Sequence, residues 1–159
     1  MSGTSPFSIL LACEVDTTRL GAVLARHLRP GDTVLLSGSI GAGKTHFARA
    51  FIQARLGRKE EVPSPTFTLI QTYDAGDTEI WHADLYRLGH PDEVHELGLE
   101  EAFETAICLV EWPDRLGSIA PATALNLTLM PQGEGREAHL SGGRSGLVAA
   151  IRADRDRNV

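Results

Sequence analysis

Apolar positions along the chain fall into two periodicities. Leu20, Val23, Leu24 and Leu28 recur at the spacing of one helix face, with Asp16 and Thr17 as candidate caps before them and Pro30-Gly31 as a stop. Residues 33–37 then carry Val34, Leu35 and Leu36 in succession, as a strand buried on both faces would, and run into a glycine-rich turn. A second helix is expected from about Lys44 to Leu56, where Gly57 can end it, and the polar stretch 58–65 reads as a loop. β-Formers dominate 67–73 and 79–83, and the Ala75-Gly76 link predicts that the two pair as a hairpin with Asp84 at its exit. Pro91-Asp92-Glu93 opens a short helix that Gly98 interrupts, and a second piece runs to about Thr105. Ile107-Cys108-Leu109-Val110 is another uninterrupted apolar strand, with Glu111 at its end and Trp112-Pro113 closing it. Strands over 124–130 and 137–141 flank a turn-rich segment, and 147–151 suggests a last helix.

Strands and helices intermix throughout, without repeats or a low-complexity linker. That order predicts one α/β domain over residues 1–153, in three layers around a mixed, mostly parallel sheet. Residues 154–159, where Asp154 and Asp156 alternate with arginines, read as a solvated, partly frayed tail.

Composition narrows the picture. With 159 residues, 42% hydrophobic and 23% charged, the chain has the size and balance of one globular domain. No run approaches the roughly 20 apolar residues of a membrane span, and the apolar stretch 7–13 follows Ser, Gly, Thr and Pro rather than basic residues. The expectation is a soluble, unexported, cytoplasmic protein with no membrane association. Cys13 and Cys108 form no CxxC pair and read as free buried thiols. A net charge of −6, with Lys44 and Lys59 the only lysines, argues against a broad surface for direct nucleic-acid binding.

The chemistry concentrates in Gly38-Ser39-Ile40-Gly41-Ala42-Gly43-Lys44-Thr45, which fits GxxxxGK[ST] between a predicted strand and a predicted helix. Glycines let the backbone close around an anion so that successive N–H groups point at phosphates, and the helix N-terminus adds partial positive charge. Gly41, Ala42, Gly43, Lys44, Thr45 and His46 are therefore candidate nucleotide-binding positions, with Lys44 reaching the β- and γ-phosphates and the Thr45 hydroxyl ligating Mg2+. A P-loop also needs an acidic group at a neighbouring strand end. Glu111, after an uninterrupted apolar strand, is preferred for the metal; Asp84 can share the metal shell, orient the attacking water, sense the γ-phosphate or cap the following turn. Thr66, in Ser64-Pro65-Thr66, is a candidate switch hydroxyl that meets Mg2+ only when the γ-phosphate is present. His82 and Asp84 can face the same side, but His-x-Asp alone is poor evidence for a metal site, and His82 reads as a packed or surface histidine.

Taken in order, these motifs resemble the TsaE family. The P-loop, Ser64-Pro65-Thr66-Phe67-Thr68-Leu69, His82-Ala83-Asp84-Leu85-Tyr86-Arg87-Leu88, Glu96-Leu97-Gly98-Leu99-Glu100 and Ile107-Cys108-Leu109-Val110-Glu111-Trp112-Pro113 match its blocks, with a weaker match at Gly135-Arg136-Glu137. The resemblance implies an ATP-binding P-loop NTPase fold, a magnesium site of Thr45 and Glu111, a switch-like loop around Thr66, and Asp84 as a residue needed for hydrolysis. It also implies that Glu14 and Arg136 lie near the adenosine. Ser39 and His46 depart from the Asp and Thr common at those positions. The implied partners are TsaD and TsaB, which together transfer a threonylcarbamoyl group to adenosine in tRNA; ATP binding would dock the chain on them and hydrolysis reset the complex. Contact with tRNA would come only through that complex.

The main alternative is a small-molecule P-loop kinase, but the central segment offers Arg87 without a paired-arginine lid. A signalling GTPase lacks support because Asn-Lys-x-Asp is absent. A module that holds ATP without turning it over is not separable from a hydrolase by sequence. Apart from Arg87 and Arg136, no obvious cation stands ready to stabilise transition-state charge, so intrinsic hydrolysis is expected to be slow and stimulated by partners.

Overall fold

The computed structural model describes residues 6–157 apart from Ile40, Ser64, Thr66 and Phe67. Seven strands form one sheet: β1 (Phe7–Leu11), β2 (Thr33–Ser37), β3 (Ile70–Asp74), β4 (Glu79–Asp84), β5 (Ile107–Glu111), β6 (Leu125–Gln132) and β7 (Gly135–Gly142). Their spatial order is β1-β7-β6-β2-β5-β4-β3. The central strands β6, β2, β5 and β4 are mutually parallel, whereas β7 and β3 run against their neighbours and β1 runs against β7. Five of the seven strands therefore share a direction, as a mixed, mostly parallel sheet requires.

Helices α1 (Glu14–His27), α2 (Lys44–Leu56) and α4 (Leu147–Arg157) cover one face, and α3 (Leu99–Thr105) lies on the other. Strand periodicity explains the two cores. Val34, Leu36, Ile107 and Leu109 pack beneath α1 and α2 with Leu24, Phe47 and Phe51. Leu35, Cys108 and Val110 turn to the opposite face and meet Leu99, Ala102 and Phe103. Burial pushes the Cys108 thiol up to about 12, which keeps it protonated and inert. Cys13, expected to be buried, is exposed just before α1.

Glycine sets the spacing of α1 and α2. A Cβ on Gly21 would stand 2.9 Å from both the Ala50 Cβ and the Phe51 backbone nitrogen, so the helices approach more closely than a side chain permits. Elsewhere glycines stop elements as the sequence suggests: Gly57 ends α2 at φ 72°, and Gly98, at φ 81°, separates the 3-10 segment Pro91–Leu97 from α3.

Four features differ from expectation. β1 is a strand of alternating burial, Ile9 and Leu11 in and Ser8 and Leu10 out, paired with β7. α1 starts at Glu14, before both candidate caps, because Asp16 acts from inside the first turn by accepting the Ala12 N–H at 2.9 Å. The hairpin forms, but β3 begins only at Ile70, since Leu69 is left-handed (φ 66°) and its N–H is turned to the Pro65 carbonyl at 2.8 Å. The predicted frayed tail is corrected as well: α4 continues through residues 154–157 because Asp154 is buried, accepting hydrogen bonds from Arg26 Nε and Nη2 (2.9 Å each) and pairing with His27 Nε2 at 2.8 Å. Among the described residues, no helix is long and apolar enough to cross a membrane.

Candidate functional site

The turn from β2 into α2 carries the glycine-rich motif. Gly38 has φ 145°, and a Cβ there would lie 2.4 Å from the Leu129 carbonyl oxygen, so the loop presses directly on β6. Ala42 N–H returns to the Ser39 carbonyl at 3.0 Å, and Gly43, left-handed at φ 100°, starts α2. The N-terminus of a thirteen-residue helix thus faces the loop, with Lys44 and Thr45 in its first turn. Lys44 is buried; its ammonium donates to the carbonyls of Gly38 and Ser39 and lies 4.1 Å from the Trp112 ring centroid. Burial lowers the Lys44 pKa, and the charges of Glu111 and Asp84 oppose that shift.

The sheet brings the acidic groups to the same end. β5 lies between β2 and β4, and parallel register sets Glu111 beside both Leu36 and Asp84. Thr45 Oγ1 donates a hydrogen bond shared between Glu111 Oε1 and Oε2, each at 3.2 Å. His82 Nε2 lies 2.7 Å from Glu111 Oε2. Asp84 Oδ1 accepts the Tyr86 N–H at 3.0 Å, which is turn capping, while the residue also lines the cleft beside Lys44 and Glu111. Its carboxyl pKa is raised, first by burial and further by Glu111, while the Tyr86 N–H, His82 and Lys44 oppose the shift.

These groups surround a cleft of about 350 Å³ lined by residues 41–46, Asp84, Tyr86, Glu111 and Trp112. Tyr86 and Trp112 form one rim, their ring centroids 5.0 Å apart. A separate hollow of about 270 Å³ between β1 and α1 shares none of these residues. Lys44, Thr45, Asp84 and Glu111 are thus brought together, whereas Glu14 and Arg136 stand outside the cleft lining. Arg136 Nη2 donates to the Gly41 carbonyl at 3.2 Å, and Glu14 opens α1, which touches α2 through Thr18 Oγ1 and His46 Nε2 at 3.3 Å. Thr66 lies outside the described residues.

Sequence reasoning missed His82 as a partner of Glu111 and Trp112 as the cover of Lys44. Alternation along β4 placed His82 and Asp84 on one side, but only the pairing with β5 shows which carboxylate the imidazole meets. A hydroxyl and a carboxylate facing each other are hard oxygen donors that suit magnesium completed by water and phosphate. Among the described residues, no group of three or more His, Cys, Asp or Glu side chains could hold a metal unaided.

A strand, a glycine-rich loop, a helix with Lys and Thr in its first turn and a carboxylate on the adjoining parallel strand define a P-loop protein of three-layer α/β architecture. The family model for the threonylcarbamoyl adenosine biosynthesis protein TsaE matches residues 11–138, and the chain belongs to that family. A tRNA threonylcarbamoyladenosine biosynthesis protein TsaE from Rickettsia felis is 40% identical over 126 residues, 78% of this chain and 74% of that protein. The corresponding protein of Rickettsia conorii is 47% identical over 104 residues, 65% and 59% of the respective chains. The crystal structure of Bacillus subtilis YdiB superposes with a TM-score of 0.81 at 25% identity, covering 100% of both chains.

Proposed function

We propose that the chain binds and slowly hydrolyses Mg2+–ATP as an accessory protein in threonylcarbamoyladenosine modification of tRNA. It acts as a nucleotide-dependent switch on the TsaD–TsaB pair. The observation that supports this best is the convergence of Lys44, Thr45 and Glu111 at the start of α2, two of them in direct contact. Lys44 exchanges the Gly38 and Ser39 carbonyls for β- and γ-phosphate oxygens, and the backbone N–H groups of residues 41–46 hold the remaining phosphate charge. Thr45 and Glu111 would hold the magnesium, which when bound would supply charge neutralisation for the phosphates. Asp84, on the strand beside Glu111, orients the attacking water, and Thr66 serves as the switch hydroxyl. Glu14 and Arg136 flank the adenosine end.

Hydrolysis by the isolated chain is slow because Arg136, engaged by the Gly41 carbonyl at the edge of the cleft, is not itself among the residues that line it with Asp84 and Glu111. A positioned arginine is worth roughly 10³ to 10⁵ in rate, so a partner that supplies or orders one couples turnover to assembly. The acidic net charge of −6 supports contact with tRNA only through that assembly. Phosphate release and complex formation with TsaD–TsaB, measured with ATP, ADP and a non-hydrolysable analogue, test the switch. ATP should favour the complex and the pair should raise the rate at least tenfold. Binding indifferent to nucleotide together with unchanged hydrolysis would reject it.

A further inference from the structure

His82 sits in the middle of β4 with 0% of its surface exposed, and Glu111 beside it on β5 is 2% exposed. A buried carboxylate needs donors, because both oxygens have lost water. Thr45 provides one proton, divided between two oxygens at 3.2 Å. His82 Nε2 provides the shorter contact, at 2.7 Å, and directs it to Oε2 alone. The other ring nitrogen, Nδ1, is buried with no hydrogen-bond partner among the described residues. A ring present only to fill space would carry that uncompensated atom without benefit, and an aliphatic side chain would fill the same volume without it. Among the described residues, the hydrogen bond of this imidazole is to Glu111.

The geometry points to His82 as a positioning residue: it pins Glu111 Oε2 from β4 and thereby fixes the carboxylate in one orientation before Thr45 and the magnesium site. This rests on the reading of Glu111 as a metal-site carboxylate. The side chain of Glu111 has three rotatable bonds, and the shared hydroxyl of Thr45 alone leaves the carboxylate free to turn between its two oxygens. A donor fixed in a β-strand removes that freedom. Removing such an outer partner typically weakens metal binding 10- to 100-fold.

The test compares His82→Gln, whose amide nitrogen can reach the Nε2 position, with His82→Asn, whose amide reaches only the Nδ1 position. Glu111→Gln serves as the reference. Mn2+ binding to each protein with ATP present is followed by electron paramagnetic resonance, and ATP binding is measured separately in EDTA. H82N should raise the Mn2+ concentration for half-saturation at least tenfold, H82Q should stay within about threefold of wild type, and EDTA-state affinity should be unchanged in both. Equal behaviour of H82N and H82Q, or matching losses in EDTA, would overturn the positioning role while a large effect of E111Q left the metal-site reading intact. An E111Q protein with unaltered Mn2+ binding would instead remove that reading, and the positioning role with it.

Discussion

Replacing Asp154 by Asn isolates the contacts that keep the chain end helical. The carboxylate accepts two hydrogen bonds from Arg26 at 2.9 Å and contacts His27 at 2.8 Å, tying α4 to α1. An amide of the same shape keeps one acceptor and turns a donor toward cationic donors. Removing one member of a buried pair costs about 3–5 kcal/mol, but the Arg26 side chain is 51% exposed and regains water. The expected loss is therefore at the low end, about 3 kcal/mol, or roughly 6–12 °C in Tm for a chain of this size. The pH dependence gives the sharper test. Hydrogen bonding from Arg26 holds the Asp154 carboxyl well below the usual carboxylate range, so its folded pKa lies under its unfolded one. The stabilisation is then fully present above the unfolded pKa of about 4 and declines as pH falls through and below it. Urea titrations of wild type and D154N at pH 7 and pH 3 should show a gap that is about 1 kcal/mol smaller at the lower pH. A gap that stays constant or widens on acidification would mean that Asp154 contributes by packing, and the ion-pair argument would fail.

Two further substitutions probe the loop and the cleft. Gly38→Ala should cost about 3 kcal/mol of nucleotide-free stability, because its Cβ would meet the Leu129 carbonyl at 2.4 Å, whereas Gly41→Ala, with nothing within 4 Å, should lose only about 1 kcal/mol to its positive φ; similar thermal melts for the two would refute the close-approach argument. Asp84→Ala should abolish phosphate release while ATP affinity by calorimetry stays within a few-fold, with about 1 kcal/mol of stability lost along with the Tyr86 N–H contact; unimpaired turnover would leave Asp84 as a turn cap.

Strands buried on both faces were the most legible part of the chain. Val34-Leu35-Leu36 and Ile107-Cys108-Leu109-Val110 are apolar without alternation because helices cover the sheet on both sides at those strands. Gly57 and Gly98 mark real stops because each adopts a left-handed conformation at a helix end. Lys44, Thr45 and Glu111 could be located because a P-loop imposes a fixed order of loop, helix and acidic strand end. β1 escaped notice since its alternation is only five residues long and its partner lies far along the chain. The role of His82 was hidden for a related reason: a two-residue spacing says which way a side chain faces, not what the next strand sets against it. Trp112 reaches Lys44 from a left-handed backbone at φ 59°, a conformation that no periodicity signals.

The pairing of β1 with β7 also bears on the order in which the molecule can be completed during synthesis. Phe7 meets Leu140 and Leu11 meets Arg136, so β1 has no seat during synthesis until residues 136–140 of β7 have followed it off the ribosome. Until then Ile9 and Leu11 lack the strand that buries them, and β7, whose own other neighbour β6 is close in sequence, can form without them. Such a long-range closure is slow relative to the local hairpins, since its loop entropy is lost before its contacts form. Chains arrested shortly before residue 136 should therefore expose β1 to proteases or chaperones, even where the strands and helices around the P-loop have already collapsed.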